Sequence, residues 1–209
     1  MSDRRSTPQG VADHELDVRG MSKPDKHPTI FATFAGLQPG GSFVLINDHD
    51  PQPLRREFEV EYADGFDWEY LRSDRKDWRV RITKVTAERL PRSLVDVNTL
   101  GTAEDDDPAG VLWKLPMRDR DLDANVVGLE PNGAIGEHHG PDLDVLVHVL
   151  AGSGELETET GTVALHPGQL VWLPRRSRRA FRAGADGLRY LTVHKRRNAL
   201  TLEPPAPRR

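Results

Sequence analysis

The sequence predicts two domains of different class, an α+β two-layer sandwich over residues 14–86 and an all-β domain over 111–198, with a linker at 87–110 and tails at 1–13 and 199–209. Three observations lead there. Apolar residues recur at helical spacing in the first third of the chain and at period two almost everywhere after residue 110, the patterns of an amphipathic helix and of a half-buried strand. Between them the character changes: Pro91, a short apolar patch from Leu94 to Val97 and the acidic run Glu104 to Asp107 before Pro108 break both periods. Finally, 209 residues suffice for one or two domains, each with a core of its own.

Residues 1–13 are polar, carry Pro8 and Gly10 and offer nothing to bury, as in a terminal tail. From Glu15 a short strand, ELDVR, runs to a turn at Gly20, and Ile30, Phe31, Phe34 and Leu37 then follow Pro28 at helical spacing. Pro28 suits a first helical turn, where its missing N–H is no loss. The turn Gln38 to Gly41 ends that helix, SFVLIN predicts a buried strand, and Leu54, Phe58 and Tyr62 mark one side of a second short helix after Pro51 and Pro53. Two strands close the domain. Phe66, Trp68 and Tyr70 alternate on one and Trp78, Val80 and Ile82 on the other, with Asp67 and Glu69 against Arg79 and Arg81 on the opposite, wet side of an antiparallel hairpin. The order is βαβαββ.

After the linker come about eight short apolar segments, VLWKL, NVVGLEP, VLVHVL, GELETE, GTVAL, QLVWLP, RAFRA and LRYLTVH, most of them separated by Gly or Pro turns. Short strands so spaced predict a closed or two-sheet β architecture.

Composition bounds what such a chain does. Hydrophobic residues are 36% and charged residues 30%, which is globular. A net charge of -4 gives no global reason to expect nucleic acid or an anionic membrane. Nine basic residues do stand between 174 and 197, but alternation spreads them over two faces, and a solvated edge paired with acids such as Asp119, Asp121 and Asp123 or the linker run outweighs nucleic-acid binding. Cysteine is absent, which removes disulfides, thiolate metal sites and cysteine nucleophiles and fits a reducing cytoplasm. No apolar run approaches the roughly 20 residues of a membrane span, and MSDRRSTPQG lacks the apolar core of a signal peptide, so a cytoplasmic location is expected.

The stretch from Gly133 to Ala183 carries two glycine-bounded segments. In GAIGEHHGPDLDVLVHVLAG, Gly133 is followed after five residues by His139, and Gly152 closes an alternating strand; in GQLVWLPRRSRRAFRA, Gly168 is followed after five residues by Pro174. These resemble the paired motifs of the cupin family, and the resemblance implies a double-sheet jelly-roll barrel and a homodimer through that domain. Departures fall on the metal ligands. Pro141 and Val145 stand where the pattern has a second histidine and a glutamate, and Arg176 and Arg179 where it has a glycine and the last histidine. Sliding the first motif by one puts His138 first and Gly140 second. If Arg179 faces inward, Phe181 does too, Val145, Val147 and Val149 share the inward parity, and His148 faces out. Asp144 is one residue out of register, and Tyr190 shares parity with His194.

In the first domain, LDVRG at 16–20 and Pro24 resemble the TusA/SirA-like sulfur carriers, whose signature is LDxRG followed by Cys-Pro. The LDVRG, HP, NDHDP, WEY and WRVRI pieces are more similar still to an uncharacterised bacterial domain family related to those carriers. Lys23 occupies the cysteine position, and an amine holds no persulfide, so sulfur transfer is not implied. Lys23 and His27 before the first helix, with Asp48, His49 and Asp50 after the second strand, form a candidate anion site, or with a carboxylate a divalent-metal site. Asx-type turns and backbone-bonded histidines are the plainer reading.

Two functions follow. The favoured one is a module without metal cofactor that binds a small, anionic molecule through Arg179 with His138, His139 and Phe181, in a regulatory or accessory role without catalysis; guanidinium is a fixed fork of donors for carboxylate or phosphate. The alternative is a metal-dependent cupin dioxygenase or isomerase holding Fe, Mn, Zn or Ni on His138, His139, Asp144 or His194.

Overall fold

A computed structural model describes residues 14–101 and 109–196; the two tails expected at 1–13 and 199–209 and the acidic run at 104–107 lie outside the described residues. The chain divides between Arg92 and Ser93 into two compact units. The expected linker is thereby shared out. Residues up to Arg92 stay with the first unit, where Arg92 donates to the Val60 carbonyl, and the short 3-10 helix Val97–Thr99, capped by Asp96, goes with the second.

In the first unit the element order is β1 (His14–Asp17), α1 (Lys23–Ala35), β2 (Ser42–Asn47), α2 (Gln52–Tyr62), β3 (Phe66–Asp74) and β4 (Asp77–Lys84). This is the expected βαβαββ. The four strands form one sheet in the order β1-β2-β4-β3, with β1 parallel to β2 and the other pairs antiparallel. The hairpin has the anticipated register, Trp68 opposite Ile82, Tyr70 opposite Val80 and Glu69 opposite Arg81. Helix α1 begins earlier than its apolar period shows. Pro24 holds the first turn, because it needs no N–H there, and Pro28 lies inside the helix.

The core of this unit is aromatic. Phe58 of α2 is fully buried and packs on Phe31 at 4.7 Å, Phe34 at 5.1 Å, Phe66 at 5.2 Å and Trp68 at 5.8 Å between ring centroids. Lys84 donates to the Ala35 and Leu37 carbonyls, so a cation closes the C-terminal end of α1, where the helix dipole favours it. On the opposite face of the sheet, Arg79 pairs with Glu15 at 3.0 Å and Arg81 with Glu69 at 2.6 Å.

The second unit contains β5 (Gly110–Lys114), β6 (Leu122–Leu129), β7 (Ala134–His139), β8 (Val145–Thr158), β9 (Gly161–Leu165), β10 (Leu170–Leu173) and β11 (Arg178–Lys195). Eight short strands were expected, and seven form. VLVHVL and GELETE run together as the 14-residue β8, and RAFRA and LRYLTVH as the 18-residue β11. The glycines between those segments bend the strands without ending them: Gly152 and Gly187 take φ of 74° and 76°. Strand β7 has no apolar alternation to announce it.

The bends let β8 and β11 each serve two ladders. Val145 to His148 pair with β10 and Val145 to Val149 with the end of β11, while Gly154 to Thr158 pair with β9 and Gly154 to Glu157 also with the start of β11; β11 also pairs with β7 through its first part and with β6 through its last. Phe181 and Tyr190, from the two parts of β11, stack at 5.3 Å, so the two ladders face one another across a shared core.

Removing the ring at the centre of the aromatic cluster tests the first core. Phe58→Ala should cost about 3–5 kcal/mol in denaturant unfolding of the N-terminal unit. A loss under about 1 kcal/mol would show that the cluster is not packed as described.

Candidate functional site

The best-formed candidate lies where β7 meets the start of β11. Backbone conformation decides the motif register. Arg179 pairs with His138, and Arg178 with His139, so His138 shares the side of the sheet on which Arg179 stands. Asn132, separated from His138 by five residues, takes φ of 61° in the left-handed region that glycine favours. In the slid reading of the motif, Asn132 stands at the glycine position, His138 at the first histidine, Gly140 at the second and Val145 at the glutamate. The second segment keeps its register. Gly168 has φ of 89°, and Arg176, at the glycine position, has φ of 59°.

Arg179 is inward, as its parity with Phe181 requires, and only 6% exposed. Its guanidinium lies against the backbone of Gly140, where a Cβ would stand 2.4 Å from Nη2. The arginine thus occupies space that a side chain at residue 140 would need. Its one hydrogen bond among the described residues is a long one, Nη1 to Ser177 Oγ at 3.4 Å, and no carboxylate pairs with it there. Burial pushes the guanidinium below its usual pKa, and Tyr190 works the other way. The Tyr190 phenol is pushed up to about 12 by burial, offset in part by the Arg179 charge. Phe181 lies in the core on this phenol.

The other candidates in this unit are placed differently. His138 and His139 are both exposed, and His138 Nδ1 lies 2.9 Å from the Gly136 carbonyl. Asp144 does not turn inward; its carboxylate accepts from the Arg175 amide at 2.9 Å. His194 shares the inward parity of Val145, its pairing partner, but is only half-buried, and its Nδ1 is 2.9 Å from the Lys195 carbonyl. His148 sits on the outer face opposite Leu170 and Leu191. Among the described residues no three His, Asp or Glu side chains come together in a way that could hold a metal ion. The basic run is tied to acids, though not those anticipated: Arg176 to Asp142 at 2.7 Å, Arg182 to Glu157 at 3.3 Å and Arg178 to Glu137 at 3.6 Å.

In the N-terminal unit, Lys23 and His27 do not precede α1 but lie within it. Lys23 is exposed. His27 is held by Glu57 of α2, Nδ1 to Oε1 at 3.0 Å, and His49 by its neighbour Asp48 at 2.6 Å. The cluster is brought together only in part, and Lys26, with a side chain 16% exposed, takes the place expected for Lys23. Sequence reasoning missed Lys26 for a definite reason: the apolar period of α1 starts after it, so the turn that carries it inward looked like loop.

Residues 15–84 match a family described as an uncharacterized conserved protein (DUF2249), over less than half of the chain. No curated protein matches. Solved structures that match include the polyketide cyclase RemF from Streptomyces resistomycificus, at 21% identity over 50% of this chain and 80% of that one, with a TM-score of 0.40. KdgF from Halomonas sp. matches at 20% identity over 46% and 87%, TM-score 0.37. A cupin-2 domain containing protein from Shewanella frigidimarina matches at 15% over 41% and 78%, TM-score 0.34.

Two measurements check this geometry. Gly140→Ala should destabilise the wild type more than it destabilises Arg179→Ala, by about 1 kcal/mol in a double-mutant cycle, because the three atoms nearest the added Cβ all belong to the guanidinium. Tyr190 has a folded pKa raised from 10.0 to about 12, so the stability it contributes is complete below pH 10 and is lost as pH rises to 12. Tyr190→Phe should flatten that alkaline decline in unfolding experiments; an unchanged decline would place the phenol in solvent.

Proposed function

We propose that the C-terminal unit is a cupin barrel in which an arginine has replaced the metal, and that it binds a small anion in a regulatory or accessory role without catalysing a reaction. One observation carries this: the Arg179 guanidinium is buried and has no carboxylate partner among the described residues. A buried charge left unpaired costs several kcal/mol, and a ligand carboxylate or phosphate supplies the missing partner. Ser177 Oγ and Tyr190 beside it offer further polar contact, and Phe181 an apolar wall. The barrel reading is supported by the left-handed residues at both motif glycine positions and by Gly140 making room for Arg179.

The N-terminal unit is proposed to have the TusA/SirA-like sandwich fold, on its element order and on LDVRG followed by Lys23-Pro24, without the sulfur chemistry. Self-association through the barrel is proposed as well. Leu146 on β8 and Leu170 and Trp172 on the edge strand β10 share an outer face and are 43%, 65% and 63% exposed, an apolar patch of the kind that marks contacts between chains. Native mass spectrometry should then find a dimer, and Trp172→Glu a monomer.

Calorimetric titration with small carboxylates and phosphates tests the anion reading. Arg179→Ala should weaken binding by about 2–5 kcal/mol, as when one member of a buried charge pair is removed. Elemental analysis of the purified protein should find well under one equivalent of Fe, Mn, Zn or Ni. A stoichiometric metal lost on His138→Ala would replace this reading with the enzyme one, and an anion affinity indifferent to Arg179→Ala would remove its basis.

A further inference from the structure

We propose that the N-terminal unit has a binding site of its own for a small zwitterion that carries a quaternary ammonium and a carboxylate, in the groove between the outer side of α2 and the far end of the β3 and β4 hairpin. The groove has a volume of about 610 Å³, within the ~300–1,000 Å³ usual for small-molecule sites. Its lining includes Asp50, Arg55, Arg56 and Glu59 on one side and Tyr70 and Trp78 on the other.

The aromatic core of the unit continues outward into this groove. Trp68, which packs on Phe58, is followed by Tyr70 at 6.4 Å and then by Trp78 at 6.0 Å between ring centroids, the last two planes 72° apart. Tyr70 is 38% exposed, yet its hydroxyl donates to Asp50 Oδ1 at 2.9 Å, which holds the ring in place. Two rings set steeply to one another make two walls of a cage, and their electron-rich faces attract a cation. No cation of the protein takes this position: among the described residues those that lie over rings, Lys84 and Arg89, lie over Phe34 and Tyr62.

The charges of the groove divide into one pair that is satisfied and two groups that are not. Arg55 binds Glu59, one helical turn away, at 3.2 Å. Asp50 accepts from neutral donors, the Tyr70 hydroxyl and Gln52 Nε2 at 3.1 Å, and among the described residues no Lys, Arg or His pairs with it. Arg56 likewise has no acid partner there, Asp50 included. An unpaired carboxylate beside two rings suits a cation, and an unpaired guanidinium is a fork for a carboxylate. The two line one groove without meeting, so a molecule with both charges serves both, whereas a plain anion leaves Asp50 unpaired and a plain cation leaves Arg56. The cationic end is a quaternary ammonium because it has no N–H to leave unbonded against a ring face.

Glycine betaine and 3,3-dimethylbutyrate share one shape and one carboxylate and differ in a positive nitrogen against a neutral carbon; choline keeps the cation and lacks the carboxylate. Titrated into the full chain and followed by amide and indole NMR shifts, glycine betaine should give saturable shifts grouped at residues 50–59 and 70–78 and should bind about tenfold more tightly than either analogue. Arg56→Ala, at an exposed position, should melt as the wild type does and lower betaine affinity to that of choline, with choline binding unchanged. Tyr70→Leu should remove the preference for glycine betaine over its carbon isostere. Should Tyr70→Leu not fold, Asp50→Asn keeps this arm, because it retains an acceptor for the Tyr70 hydroxyl and drops the charge, and the preference should fall by a similar factor. Arg179→Ala should leave the shifts as they are, which separates this site from anion binding in the barrel. Equal binding of glycine betaine and 3,3-dimethylbutyrate, a betaine affinity indifferent to Arg56→Ala, or an absence of saturable shifts at these residues overturns the proposal.

Discussion

The pairing of β8 with β11 is the constraint on which the C-terminal unit depends. The two strands pair twice, Gly154 to Glu157 with Ala180 to Ala183 and Val145 to Gly152 with Leu188 to His194, and between these stretches both must bend. The bend works only without side chains. A Cβ on Gly152 would lie 2.2 Å from the Gly187 carbonyl oxygen, and one on Gly187 would lie 2.7 Å from that of Leu129. Once the bend is made, the inward residues of the two stretches face each other, Phe181 meets Tyr190, and Arg179 follows by alternation. The candidate site is therefore a consequence of the bend, not of any local motif.

An arginine at this position changes what the barrel is able to do. A metal ion offers open coordination positions and Lewis acidity, whereas guanidinium offers five N–H donors in a plane and a charge that does not leave. The neighbours agree with the second role. Gly140 has no side chain to donate, Val145 is a buried hydrocarbon, and Asp144 is spent on the Arg175 amide. The absence of a side chain at Gly140 leaves the space that the Arg179 guanidinium fills.

Much of this was legible in the sequence, and the failures share a cause. Alternation identified the two faces of the hairpin of the first unit, the inward set Val145, Val147 and Val149 and the outward His148, because a period of two is a property of the chain itself. Punctuation was less reliable. Pro suits a first helical turn at 28 and at 24 alike, and the earlier one starts the helix; a glycine that looks like a strand end is at 152 and 187 a bend within a strand. Residue 132 and not Gly133 is left-handed, and neither Asn132 nor Arg176 announces that conformation in a sequence as a glycine does. Gly140 and Arg179 are far apart in the chain, so their sharing of one space has no signature along it.

Charge density was a poor guide to function here, and hydrogen-bond satisfaction a better one. The basic run from Arg175 to Arg182 is the most conspicuous feature of the C-terminal sequence, yet Arg176, Arg178 and Arg182 each face an acid on the surface, where such pairs contribute little and bind nothing further. Within the same run Arg179 alone is buried, and no acid pairs with it among the described residues. In the N-terminal unit the conspicuous residues are again the exposed ones, Lys23 and His49, while one of the unsatisfied buried atoms is the side-chain oxygen of Asn47, an uncharged residue at the end of a buried strand. A polar group that folding has removed from water and not re-paired needs a partner from outside the fold, and an exposed charge does not.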